Sequence, residues 1–310
     1  MVDKQYEKPK IHDGYFWYEQ SCPICRSLPT RRVGKRGGAS HRSGLGVETI
    51  IWQCKKCSLI FPNPMPVPIE GLGQHYDVDP DEYFSHHEKD SKNTNAADLV
   101  TQAEELVGRK GKMLDIGIGR GEIITAALDA GWTADGVEPS ETFADYVENL
   151  TSTKIWRQPF EESEIPDCEY DAVILSAVLE HLYDPNAAIA KISRILKPGG
   201  ILFVDVPNEL GLYFRIGNLY QKLRRRDWCV NLAPTFSPFH IFGFRPHALR
   251  LILEKYSLKP IVWQIYGGTS LVSTNGGIVG FMEKIGARIV SKASNYSENG
   301  TYIEAWAVKE

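Results

Sequence analysis

Residues 113–140 read MLDIGIGRGEIITAALDAGWTADGVEPS. The apolar run ending at Ile116 predicts a buried strand over 112–116, and Gly117, Gly119 and Gly121 predict a tight turn directly after it. Ile123, Ile124, Ala127 and Leu128 fall on one face of a helix over 122–130, and a second strand over 133–137 ends in Glu138. This β-α-β unit suits a ligand that carries a ribose. Glycines let the backbone approach the ligand, the helix N-terminus offers free N–H groups, and a carboxylate about twenty residues on accepts hydrogen bonds from two ribose hydroxyls. The glycines are spaced G-x-G-x-G rather than G-x-G-x-x-G. Taken alone, that spacing also fits any nucleotide-binding β-α-β unit or a plain tight turn.

Working outward, strand and helix patterns keep alternating. Ser140 opens a helix over 141–150, and a short strand over 154–156 leads to Gln158-Pro159-Phe160-Glu161. Residues 170–175 are continuously apolar enough for a strand buried on both faces, and they run into Ser176-Ala177-Val178-Leu179-Glu180-His181. Asp184-Pro185 starts a helix that reaches Leu196, Pro198-Gly199-Gly200 stops it, and a strand over 201–206 follows. Such alternation predicts an α/β fold with a doubly wound, Rossmann-like parallel sheet. Upstream, 96–107 reads as an amphipathic helix; downstream, 246–256 reads as a helix and 260–266 and 301–308 as strands. Residues 271–290 hold a glycine-rich turn and a helix. The stretch 208–239 breaks the alternation. Its Leu212, Ile216, Leu219, Tyr220 and Leu223 have helical spacing and are followed by Arg224-Arg225-Arg226. Two readings fit this helix: a cover over a substrate, or an amphipathic helix closing the sheet edge.

Four of the six cysteines form two C-x-x-C pairs, Cys22-Pro-Ile-Cys25 and Cys54-Lys-Lys-Cys57. Each pair aims two thiolates at one centre, and two pairs complete a tetrahedral, closed, structural zinc site. Cys168 and Cys229 stand apart and read as packing or loop residues. Between the pairs, Arg26, Arg31, Arg32, Lys35, Arg36 and Arg42 occur with no acid from 21 to 47, interleaved with five glycines. This is a solvated hairpin tip or a grip for phosphates, of a nucleotide-linked substrate or of RNA. The prolines of FPNPMPVP, residues 61–68, then predict a stiff, extended linker. Domain boundaries follow: 1–68 a zinc-ribbon module, 69–110 a helical connector or lid, 111–310 the α/β domain with 208–239 inserted.

The 310 residues, 43% hydrophobic and 24% charged, suffice for a full core in about two domains. A net charge of −4 disfavours wholesale nucleic-acid binding but leaves room for a local patch. No apolar run reaches the ~18 residues of a membrane span, and the polar MVDKQYEKPK lacks a signal-peptide core. The expectation is a cytoplasmic chain with reduced cysteines.

The Leu114-Asp115-Ile116-Gly117-x-Gly119-x-Gly121 turn with its Glu138 resembles motif I of the class I S-adenosylmethionine-dependent methyltransferases. DAVILSAVLEHLYDPNAAIAKISRILKPGGILFVDVPN, residues 171–208, resembles the fourth- and fifth-strand regions of that family's small-molecule members, and Ser237-Pro238-Phe239-His240 its "pfH" element. The resemblance implies a seven-stranded sheet with the last strand antiparallel within it. It also implies that Asp115 orders the turn and that Gly117, Gly119 and Gly121 face the cofactor. Glu138 takes the ribose, Pro139 and Phe160 flank the adenine, Ser176 and Ala177 lie near the methyl group, and Tyr76 lids the site. His240 and His181 are the candidate proton acceptors, although in many relatives the latter bonds the backbone beneath the site. The cysteine head resembles that of a zinc-ribbon subgroup acting on sugars, surface polysaccharides or other secondary metabolites. The leading expectation is therefore O-methylation of a sugar, glycan precursor or hydroxylated metabolite, as in polysaccharide biosynthesis, with S-adenosylmethionine and structural Zn2+. The alternatives are an RNA methyltransferase gripping its substrate with the zinc head and basic hairpin, and a non-catalytic zinc-ribbon interaction protein.

Overall fold

The computed structural model describes residues 9–29, 31–71, 95–230, 232–267 and 299–310. Tyr76, most of the 69–110 connector and the 271–290 stretch lie outside the described residues. In chain order the head holds β1 (Lys10–His12), β2 (Tyr15–Tyr18), β3 (Arg31–Arg36), β4 (Thr49–Gln53), β5 (Ile60–Pro62) and β6 (Met65–Pro68). Then come α1 (Ala96–Val107), β7 (Lys112–Ile116), α2 (Glu122–Asp129), β8 (Thr133–Val137), α3 (Glu141–Thr151), β9 (Ile155–Trp156) and β10 (Tyr170–Ser176). The chain continues with α4 (Pro185–Ile195), β11 (Leu196–Pro207), α5 (Leu212–Leu223), α6 (Pro246–Lys255), β12 (Leu258–Tyr266) and β13 (Tyr302–Lys309).

The large sheet has seven strands in the order β12-β13-β11-β10-β7-β8-β9. β13 runs antiparallel to both neighbours, while β11, β10, β7, β8 and β9 run parallel. The period-two alternation of the central strands divides the core in two. Leu114, Ile116, Val173, Leu175, Leu202 and Val204 face α4 and α6. Met113, Ala172, Ile174, Ile201 and Phe203 face α1, α2 and α3. Both faces are covered, which is why β10 is apolar at nearly every position. Local signals set the helix ends: Asp184 Oδ1 accepts from Ala187 N–H at 2.9 Å ahead of Pro185, and Asn95 Oδ1 does the same for Ala97 N–H. β11 begins earlier than the sequence predicts. Pro198-Gly199-Gly200 does not end an element but lies inside the strand, with Gly199 at φ 75° and Tyr170 paired to Leu196 across a register shift.

The head departs from expectation in two ways. The proline segment is extended, but it is no free linker. Residues 65–68 pair antiparallel with β2, and β5 pairs with β4. Cys22, Ile24, Cys54, Cys57, Leu59, Phe61 and Met65 share one core cluster with Phe242, Phe244, Leu249 and Ile252, so the head packs directly on the α6 side of the sheet. The basic hairpin is likewise docked. Lys35 N–H donates to the Asp227 carbonyl at 2.7 Å, Cys229 N–H donates to the Lys35 carbonyl at 3.0 Å, and Arg36 Nε donates to the Leu232 carbonyl at 2.8 Å. A Cβ on Gly46 would stand 2.6 Å from Thr235 Oγ1 and 2.7 Å from the Phe236 ring, so this glycine serves close packing. Among the described residues no helix is long and apolar enough to cross a membrane.

Candidate active site

The glycine turn leaves β7 at the C-terminal edge of the sheet, where open α/β sheets hold their ligands. Gly117 has φ 75°, and its N–H donates to the Val137 carbonyl at 2.8 Å, tying the turn to the end of β8. A Cβ there would stand 2.7 Å from Val178 Cγ2, so the turn also touches the chain leaving β10. Gly119 and Gly121 are at φ 53° and 77°, and Gly121 precedes α2. These are conformations that L side chains resist. Asp115 is buried on β7 beneath the turn. Glu138 is buried at the tip of β8, where Oε1 accepts the Ser140 N–H at 2.9 Å and its own N–H donates to the Trp156 carbonyl at 3.0 Å. The same bond pre-orients the carboxylate. Pro139 beside it is half-buried. Phe160 is buried in the core with the Lys191 ammonium 4.5 Å from its ring centroid, so little of its ring faces out.

At the end of β10, Ser176 and Ala177 are half-buried. Ala177 sits at φ 52°, and its N–H reaches Asp205 Oδ1 at 2.8 Å on β11. The two candidate histidines, 59 positions apart in the chain by their numbers, meet here: their ring centroids lie 4.8 Å apart, edge to face. His181 Nδ1 lies 3.2 Å from the Phe239 carbonyl. A carbonyl only accepts, so Nδ1 is the donor in this bond and Nε2 is turned away from it. Glu180, buried, places Oε1 3.9 Å from His181 Nε2. Its carbonyl accepts the N–H groups of Ile241 and Phe242 at 2.9 and 3.0 Å, which fixes the segment carrying His240 against the end of β10. Donor atoms of Glu180, His181 and His240 all lie within 4.8 Å of one another.

The four cysteines also converge, with ligand atoms within 4.8 Å of one another, Cys22 Sγ 3.3 Å from Cys57 Sγ and Cys25 Sγ 3.4 Å from Cys54 Sγ. A tetrahedron of thiolates on Zn2+ has edges of about 3.8 Å, so the donor set fits the ion with a small outward shift. Cys168 is exposed, while Cys229 is buried, its thiol pushed up to about 12 by burial and by Glu209.

A family model described as a methyltransferase domain matches residues 85–262, more than half of the chain. The chain belongs to this family. Two curated relatives are ubiquinone biosynthesis O-methyltransferases. That of Methylococcus capsulatus is 33% identical over 110 residues, 34% of this chain and 46% of the relative. That of Coxiella burnetii is 30% identical over 165 residues, 50% of this chain and 67% of the relative. The chain thus spans less than half of the first relative and about two thirds of the second. A crystal structure of an S-adenosylmethionine-dependent methyltransferase from Archaeoglobus fulgidus superposes with a TM-score of 0.50 at 19% identity, covering 73% of this chain and 99% of that one. That likeness speaks for the fold: a Rossmann-like class I methyltransferase domain with its seven-stranded sheet.

Within this methyltransferase domain, three residues escaped the sequence reading. Asp205 lies buried inside an apolar strand, where its VDVP context reads as sheet core. Glu209 packs under Gly243, and Glu180 sits beside a histidine that drew the attention. An acid within an apolar run is the signal that marks Asp205 and Glu180; Glu209, in Asn208-Glu209-Leu210-Gly211, carries no such mark.

Proposed function

We propose that this protein is an S-adenosylmethionine-dependent methyltransferase that O-methylates a hydroxyl of a small acceptor. The sugar, glycan-precursor or hydroxylated-metabolite class anticipated above remains our reading of that acceptor. The observation that carries it is the meeting of His181 and His240 at the end of β10, beside the glycine turn of β7 and the Glu138 tip of β8. The O-methyltransferase relatives support the choice of oxygen as nucleophile. S-adenosylmethionine supplies an electrophilic methyl group on a sulfonium. In this reading Glu138 accepts the ribose hydroxyls, Gly117 and Gly119 let the backbone approach the methionine end, Gly121 and the start of α2 receive its carboxylate, and Pro139 borders the adenine. Ser176 and Ala177 border the methyl group. His181 Nε2 takes the acceptor proton as the C–O bond forms and the C–S bond breaks, with Glu180 3.9 Å away steadying the imidazolium and His240 holding the acceptor oxygen. The four cysteines hold a structural Zn2+.

The test is calorimetric titration of zinc-loaded protein with S-adenosylmethionine, followed by an acceptor screen starting from nucleotide-sugars. Glu138→Ala is expected to weaken cofactor binding by about 1–3 kcal/mol. His181→Gln is expected to keep cofactor affinity and lose about 10²–10⁴ in kcat. Absent cofactor binding, or unaltered kcat in His181→Gln, would overturn the assignment.

A further inference from the structure

Helix α5 turns an apolar face to solvent. Tyr213, Ile216, Leu219, Tyr220 and Leu223 are all exposed, Leu219 at 56% and Leu223 at 76%, whereas Phe214 is buried at 8%. At about 100° per residue, those five side chains span an arc of about 120° whose centre lies opposite Phe214. Among the described residues, the stripe therefore points away from the body of the protein rather than into it. Ordinary surfaces scatter single apolar residues; a continuous stripe over three turns of helix marks a docking face.

The charge around the stripe identifies what it docks against. From 210 to 226 the chain carries Arg215, Lys222, Arg224, Arg225 and Arg226 and not one acid, although the whole chain has a net charge of −4. Arg215 and Lys222 flank the stripe on one side. Arg224 lies on the other, its Nη1 donating to Tyr220 Oη at 2.9 Å. The β3–β4 hairpin adjoins this surface: the Lys35 backbone bridges to that of Trp228, Arg32 pairs with Asp227 and the Lys35 ammonium with Glu48, and Arg226 lies over the Trp228 ring at 4.5 Å. Aliphatic side chains in the centre, tyrosines beside them and arginines at the rim match the depth profile of an anionic bilayer surface: acyl chains, interface, phosphates. An RNA partner would use the cations but give Ile216, Leu219 and Leu223 nothing to bury against.

We propose that α5 and the adjoining β3–β4 hairpin dock this protein onto an anionic membrane surface. Gly217 packs against Val230, in the segment that leads to His240, and Leu212 N–H donates to the Asn299 carbonyl beside β13, so docking through α5 sets the acceptor side of the site at the bilayer. Resting on the reading above, the acceptor is then a hydroxyl carried on a lipid anchor or on an amphiphile resident in the bilayer. The docking itself is independent of that reading, because it is measured without cofactor or acceptor.

The experiment is flotation of the full, zinc-loaded chain with vesicles of phosphatidylglycerol and phosphatidylcholine in equal parts, and with pure phosphatidylcholine, at low and high salt. Wild type is expected to float with the mixed vesicles and to be released as salt rises. Leu219→Asp with Leu223→Asp should reduce partitioning at least tenfold. Arg224→Gln, Arg225→Gln and Arg226→Gln together should reduce it by roughly fivefold per cation removed and flatten the salt dependence. Leu223→Gln, at the most exposed position, repeats the test with little risk to folding and should cost roughly tenfold. An unchanged near-ultraviolet dichroism spectrum and melting midpoint certify that each variant is folded. Wild type that stays with the soluble fraction, or apolar variants that float like wild type, would overturn the proposal. So would salt-sensitive binding to single-stranded RNA that the apolar variants leave intact while mixed vesicles bind nothing.

Discussion

Glu161, on the loop between β9 and β10, accepts the Tyr183 N–H through Oε1 at 3.2 Å, and its Oε2 is buried without a hydrogen-bond partner among the described residues. Burial is the main influence and raises its carboxyl above the ordinary range, against the pull of backbone N–H groups and Lys191. Lys191 itself is held down to about 8, first by burial and then by Arg194. A carboxyl raised in the folded state costs no stability below its unfolded value of about 4.3. The cost grows as pH climbs from there through the folded value, because the native state holds a proton that the unfolded state has released. Glu161→Gln should therefore match wild type in urea denaturation at pH 4 and exceed it by about 1 kcal/mol at pH 7.5. An advantage equal at both pH values would show that packing, not charge, is responsible. At this scale the sequence carried the left-handed turn of Gly117, Gly119 and Gly121 and the place of Glu138 at the strand tip, because turn chemistry and spacing are local. It did not carry the burial of Phe160 under Lys191, since that depends on α4 folding back over a loop 31 positions earlier by the numbers.

The two cysteine knuckles are built alike. Cys22 N–H donates to the Ser27 carbonyl and Arg26 N–H to the Cys22 carbonyl, at 2.8 and 2.9 Å. In the second knuckle Cys54 N–H donates to the Leu59 carbonyl and Ser58 N–H to the Cys54 carbonyl, both at 2.9 Å. In each, the residue after the second cysteine is left-handed, Arg26 at φ 58° and Ser58 at φ 70°. An L residue is strained there by about 1 kcal/mol or more, and glycine is not. Ser58→Gly should thus raise the stability of metal-loaded protein by roughly 0.5–1 kcal/mol, after the greater freedom of glycine in the unfolded chain is deducted. Ser58→Val should lower it by more than that. Denaturant midpoints with unchanged slopes would check both, and a destabilised glycine variant would show that the Ser58 side chain has a role of its own. The knuckles were legible from the C-x-x-C spacing, but their left-handed corners were not, because neither position holds glycine or asparagine. The helix after β10 read well for a related reason: Asp184-Pro185 is a local signal, whereas Pro198-Gly199-Gly200 resembles a stop and is absorbed into β11 by pairing with a distant strand.

Across the whole molecule, the doubly wound sheet followed from the alternation of strand and helix, and its seven strands with an antiparallel last one from the family resemblance, while the seat of the head did not. Nothing in the local pattern of 20–68 says that β5 will bond to residue 243, yet Ile60 N–H reaches the Gly243 carbonyl at 3.0 Å and Gly243 N–H returns to the Ile60 carbonyl at 2.8 Å. This exchange, the shared core of Leu59 and Phe61 with Phe242 and Phe244, and the bonds of residues 241 and 242 to Glu180 link the cysteine knuckles to the histidine pair in a few steps. Composition and proline content suggested a separable module ending at residue 68; the packing joins it to one face of the sheet. Removing the Zn2+ proposed for the cysteines should therefore not leave an intact methyltransferase domain with a loose tail. Metal binding supplies the folding energy of a small four-cysteine unit, and losing that unit uncovers a large apolar face over α6. Calorimetry of the full, metal-loaded chain should show one cooperative transition, and chelation should lower its midpoint as a whole rather than split it in two. A chain beginning at residue 69 should be insoluble, or collapsed without fixed near-ultraviolet dichroism. A soluble 69–310 fragment that binds S-adenosylmethionine with native affinity and melts at the full-length midpoint would show that the head is seated on the domain without supporting it. The bond from Ile60 to Gly243 would then be a contact and not a brace.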